Sequence, residues 1–130
     1  MKNAAWRMLN AALGDLVIET GAAGAAVLDD GNGLWCTSHP GLDTRADRFY
    51  REEIATHPEV KLRRGVGFHL VRTTPPDHAY IAESFSSIYV LVLFFDADFD
   101  PFTNRTLLKS ALPRVERLTL AIPPPNRSDA

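Results

Sequence analysis

The longest uninterrupted apolar run in the sequence, Ile88 to Phe95, ends in a cluster of alternating carboxylates, Asp96, Asp98 and Asp100. It is far shorter than the about 20 residues a membrane helix requires. Because it is apolar at odd and even positions alike, it is read as a strand buried on both faces, central in a sheet with helices on either side.

The rest of the chain supplies elements for such a layered fold. From Asn3 to Thr20 the apolar residues Ala5, Met8, Leu9, Ala12 and Leu16 keep helical spacing, with Trp6, Arg7, Asn10 and Asp15 off the stripe and Gly21 as the stop. Ala25 to Asp29 and Leu34 to Ser38 read as strands joined by a reversal at Asp30 to Gly33, and the small residues Ala22 to Ala26 let a helix lie close. No helix follows these glycines and no Gly-Lys-Ser/Thr occurs, so the segment is a hairpin turn and not a phosphate loop.

Asp43 or Thr44 is the expected N-cap of a short helix through about Ile54, with Ala46, Phe49, Tyr50 and Ile54 on one side and Arg45, Arg48, Arg51 and Glu52 on the other. Lys61 to Gly65 reads as a solvated loop. Phe68 to Thr73, Ala79 to Phe85 and Ile88 to Phe95 read as three antiparallel strands, the last two joined by a tight reversal at Ser86 and Ser87. Asp100 and Pro101 fit an N-cap and a first helical position, and Leu107, Leu108, Ala111, Leu112, Val115, Leu118 and Ile122 mark a long final helix, expected to kink near Lys109 or Ser110 because of Pro113. One domain over residues 1–122 is expected, followed by a disordered Pro-rich tail over 123–130.

Composition excludes several function classes. With 14 Lys and Arg against 16 Asp and Glu, the net charge of -2 gives no general attraction for nucleic acid or an anionic membrane. The lone Cys36 cannot form an internal disulfide, and Arg7, Asn10 and Asp15 interrupt the N-terminal stretch where a signal peptide needs an apolar core. A cytoplasmic protein without membrane insertion is expected.

The carboxylate cluster does not match known chemistry of that pattern. A phosphatase of the haloacid dehalogenase type would continue past the second Asp with Gly-Thr or Gly-Val, whereas Phe99-Asp100-Pro101 follow here. A calcium loop counted from Asp96 would place Pro101 at the obligatory glycine and Leu107 at the bidentate Glu. What remains is acid gathered at a helix N-terminus, where the dipole favours it. His39, His57, His69 and His78 never pair at three- or four-residue spacing, so no metal and no cofactor are expected.

The order helix, two strands, helix, three strands, helix resembles the roadblock family, named for a dynein light chain, in its bacterial MglB-like form. The likeness runs from about Asn3 to Ile122 and is most telling in HAYIAESFSSIYVLVLFFDADFDPFTNRTLLKSALPRVERL, similar to the closing hairpin, Asp and Arg-containing helix of that family. The opening LNAALGDLVIETGAAGAAVLDDGNGLWCTS is similar to its helix, small-residue strand, acidic-glycine turn and second strand. The chain departs from the pattern in a shorter middle helix, an inserted ATHPEVKLRRG, and Pro113 in the last helix.

The resemblance implies an α+β fold: a five-stranded antiparallel sheet sandwiched between helices in a profilin-like or roadblock architecture, the first and last helices on one face and the middle helix on the other. It further implies dimers, homodimeric or with another roadblock chain, in which third strands meet edge to edge and middle helices pack side by side. An open edge at Phe68 to Thr73 would otherwise invite aggregation. Phe49, Tyr50, Ile54, Phe68 and Leu70 are the candidates for apolar contacts at or beneath that interface, and Arg45, Arg48 and Arg51 for charges offered to a partner. The implied function is a noncatalytic adaptor or regulator of a small Ras-like GTPase in bacterial polarity or motility. The alternative is a PAS, GAF or profilin-like sensory module with Trp35, Tyr80, Phe94 and Phe95 lining a small-molecule pocket.

Overall fold

The structure, a computed structural model, describes residues 4–29, 33–55 and 67–122. The loop over Lys61 to Gly65 and the tail over 123–130 lie outside the described residues. Helix α1 spans Ala4–Thr20, followed by strands β1 (Gly24–Asp29) and β2 (Gly33–Thr37). Helix α2 (Asp43–Phe49) continues as a wider π turn over Tyr50–Ala55, then come β3 (His69–Arg72), β4 (Ala79–Phe85), β5 (Tyr89–Phe95) and helix α3 (Pro101–Leu120).

The strands form one antiparallel sheet in the order β2-β1-β5-β4-β3. The chain's last strand inserts at the centre, with Val27 opposite Leu91 on one side and Ile81 opposite Leu93 on the other. Every β5 residue is buried, as its unbroken apolar run requires. Burying such a side chain contributes about 1.5–3 kcal/mol, so this strand stabilises the sheet from its centre.

Alternation along the strands divides the core in two. Leu91, Leu93 and Phe95 pack with Ala25, Val27 and Ile81 beneath α1 and α3, represented by Leu9, Leu13, Leu16, Leu108 and Val115. Val90, Val92 and Phe94 pack on the opposite face with Ala26, Leu28, Tyr80 and Ala82 beneath α2 and its π turn, represented by Ala46 and Phe49 of the helix and Ile54 of the turn. Ala22 and Ala25 in the first cluster leave room for α1 to lie close, and Trp6, expected off the buried stripe, packs against that cluster.

Local chemistry accounts for the ends of the elements. Gly21 takes φ +72°, a left-handed conformation that costs glycine little, and its N–H donates to the Val17 carbonyl at 2.9 Å to close α1. Asp100 caps α3: its carboxylate accepts from the Phe102 amide at 3.0 Å and from the Thr103 hydroxyl at 2.7 Å. Helix α3 continues across Pro113 to Leu120. At α2, by contrast, neither Asp43 nor Thr44 is the cap. Leu42 holds that position without a side-chain bond, and Asp43 is already helical, its carboxylate accepting from the Thr37 hydroxyl at 3.3 Å. Ser86 and Ser87 both adopt positive φ to reverse the chain, which leaves Ile88 in the turn and starts β5 at Tyr89.

Candidate partner-binding edge

The sheet ends in β2 on one side and β3 on the other, and the two edges differ. The β1–β2 ladder is bulged between Val27 and Leu28, and Asn10 of α1 donates its side-chain amide to the Thr37 carbonyl at 2.7 Å. Irregularity and a side-chain cap are two ways of making a strand edge unfit for further pairing. The β3–β4 ladder is regular, His69 opposite Glu83 through Arg72 opposite Tyr80, and among the described residues β4 is the sole strand beside β3.

Each face of β3 is anchored by one carboxylate. On the α2 face, Glu53 accepts from the Tyr80 hydroxyl at 2.9 Å and pairs with Arg72 at 3.3 Å. Burial, followed by the hydrogen bond to Glu53, pushes the Tyr80 phenol well above its ordinary range. On the other face, Glu83 accepts from Nε of Arg105 at 3.2 Å and lies 3.1 Å from Nδ1 of His69. These contacts tie the strand to the π turn after α2 and to α3 while leaving its outer backbone edge uncovered by them.

The expected interface residues separate by depth. Phe49, Ile54 and Phe68 are buried in the α2-side core, Phe49 meeting Tyr80 and Phe94 edge to face at 4.7 and 5.8 Å. Tyr50 and Leu70 are half-buried and pack against the same cluster from its border. Leu70 lies on β3 itself.

The arginines are engaged within the chain. Arg45 extends across the end of the sheet, its Nη2 donating to the carbonyls of Phe95 at 2.7 Å, Pro76 at 3.1 Å and Ala79 at 3.3 Å. Its Nη1 pairs with Asp96, and its guanidinium sits 5.3 Å from the Phe94 ring centroid. Arg48 donates to the Asp77 carbonyl, and Arg51 pairs with Asp47 at 2.9 Å one turn away. The carboxylate cluster is thereby divided: Asp96 neutralises Arg45, Asp100 caps α3, and Asp98 is exposed. Sequence reasoning finds the cap from the Asp-Pro pair but misses the roles of Arg45, Glu53 and Glu83. Arg45 and Asp96 are separated by 51 residues, so no local pattern reveals their pairing.

The aromatic residues proposed for a ligand pocket do not share one. Trp35 and Phe95 belong to the core under α1 and α3, Tyr80 and Phe94 to the core under α2, with the sheet between them. A cleft bordered by Arg45, Arg48, Glu53, Arg72, His78 and Tyr80 encloses about 10 Å³, near the space one water needs. Among the described residues no group of three His, Cys, Asp or Glu side chains is placed to hold a metal, and no helix is long and apolar enough to cross a membrane.

No protein-family model and no curated protein matches the sequence. Solved structures do match over nearly the whole chain. An MglB with a tetrameric arrangement superimposes with TM-score 0.68 at 20% identity, covering 93% of this chain and 94% of that one. The gliding protein MglB from Thermus thermophilus superimposes with TM-score 0.67 at 22% identity, covering 94% of this chain and 96% of that one. The element order, the central fifth strand and the helices on both faces thus give this chain the MglB-like roadblock fold.

Proposed function

We propose that this chain is a noncatalytic, dimeric adaptor or regulator that binds a small Ras-like GTPase or another roadblock chain, in the setting of bacterial polarity or motility. The observation that carries this reading is the regular β3 edge, unblocked among the described residues, on a fold shared with MglB structures. The MglB neighbours include one with a tetrameric arrangement and one described as a gliding protein, which is where the motility setting comes from. Edge pairing extends the sheet across two copies and makes a platform larger than either chain alone. Arg45 and Arg48 are held by carbonyls of their own chain, so an effect on GTP hydrolysis would act by ordering the partner's switch loops and not by inserting either of these two arginines.

The test is a titration of the purified chain against the small Ras-like GTPases of its own genome, each loaded with GDP or a non-hydrolysable GTP analogue. Binding to one GTPase that discriminates between the nucleotide states is the expected result. Absence of binding in both states, by a chain that is dimeric in solution, would overturn the GTPase assignment.

A further inference from the structure

Helices α1 and α3 lie side by side on the sheet face opposite α2, sharing one core cluster and joined at the surface where Arg114 donates to Asp15 at 3.2 Å. Between them is a groove of about 190 Å³, with Ala12, Ala111 and Val115 at its base and the exposed side chains of Asp15, Glu19 and Arg114 at its edges. An apolar cavity of about 150 Å³ takes up a benzene-sized molecule, so this space admits one large apolar side chain.

The outer surface of the two helices is unusually apolar and, on one edge, unmatched in charge. Ile18 is 82% exposed, Leu120 59% and Met8 51%. Ala11, Gly14 and Ile18 recur at three- and four-residue spacing and so share the outward stripe of α1, and a side chain added at Gly14 would meet nothing within 4 Å. Glycine inside a helix lowers stability relative to alanine, and it is useful where another backbone has to approach closely. Glu19 stands in the last turn of α1, a turn with no basic residue, where the helix dipole disfavours a carboxylate. Among the described residues Glu19 makes no hydrogen bond and no ion pair. Asp15, one turn earlier on the same edge, is matched by Arg114, which leaves the groove with one carboxylate in excess.

We propose that the groove between α1 and α3 seats a basic amphipathic helix of a partner protein, one apolar side chain entering between the two helices and a Lys or Arg meeting Glu19. This goes beyond the function proposed above and does not depend on it. A helix is the occupant because the valley between two packed helices accepts a third by the same ridge-and-groove fit, with anchors spaced by one turn. Asp15 and Glu19 are themselves one turn apart, which matches basic residues one turn apart on the incoming helix. The basic character follows from Glu19: a cation there supplies what α1 lacks at its negative pole, whereas an acidic helix would meet both the dipole and the unmatched carboxylate.

Two synthetic helical peptides of about 18 residues test the groove. They share one apolar stripe of leucines and differ in carrying either Lys or Glu on the flanking positions. In fluorescence anisotropy titrations with the full chain, the Lys peptide is expected to bind at least about tenfold more tightly than the Glu peptide. Glu19→Lys is expected to weaken the Lys peptide by about tenfold while raising Tm, because a lysine suits the last turn of α1. Ser110→Trp, at an exposed position on the rim, fills the groove and is expected to abolish binding, with unchanged circular dichroism showing that the fold is kept. Equal binding of the two peptides, binding of neither, or Lys-peptide binding that both variants leave unchanged would overturn the proposal. A fall in the sedimented mass of the chain on Ser110→Trp would assign the groove to a second copy and overturn it as well.

Discussion

Arg45 closes the open end of the sheet by bringing one guanidinium to the carbonyls of Pro76, Ala79 and Phe95 and to the carboxylate of Asp96. Its side chain is 16% exposed, so its removal would strand carbonyls near the core. Arg45→Ala should lower unfolding free energy by about 2–3 kcal/mol in urea titrations, with Arg45→Lys giving little rescue because one ammonium cannot reproduce the planar fork. Arg51→Ala, which removes an exposed pair one helical turn long, should change it by less than about 0.5 kcal/mol. Asp100 acts at the same scale. The Thr103 hydroxyl, then the Phe102 amide, hold its carboxyl below the ordinary carboxylate range. The unfolded chain therefore takes up the proton first as pH falls, so the stability from this cap is complete above the ordinary pKa and is lost on descent through the folded value. Asp100→Ala should lower Tm by roughly 2–6 °C at neutral pH, with the gap to the parent narrowing through the acid range in calorimetry. The Asp100-Pro101 signal is legible in the sequence because a cap is local, whereas the Arg45 clamp joins segments that only the fold brings together.

At the scale of elements, β5 is readable as the central strand because its two-sided apolar character has no other stable placement in a sheet. The middle helix is harder. The spacing of Ala46, Phe49 and Ile54 marks the side that the structure buries, but the π turn from Tyr50 to Ala55 leaves no mark in the residue pattern. The interface residues show the same limit. Periodicity marks Phe49, Ile54 and Phe68 as apolar without saying whether a partner or the chain's own sheet covers them, and it is the sheet that buries all three. Strand β3 offers a prediction that separates its two backbone sides. Val71→Pro removes an outward N–H and leaves the β3–β4 ladder intact, so the chain should stay folded, with near-parental circular dichroism, and become monomeric. Leu70→Pro removes an inward donor and should lower Tm as well.

The whole molecule, over its described residues, is a sheet with one edge obstructed and one edge open, which is the observation behind the proposed pairing of two copies. The layered architecture is visible from element order and length, since each helix and strand announces itself locally. The difference between the edges is not, because the Asn10 cap on Thr37 and the bulge at Val27 exist only once α1 lies across β2. Sedimentation equilibrium of the full chain across the micromolar range tests the open edge most directly. A particle of twice the chain mass of 14.4 kDa, or an even multiple of it, reduced to the single-chain mass by Val71→Pro, is the predicted result. A parent chain that sediments at 14.4 kDa at every concentration would contradict it.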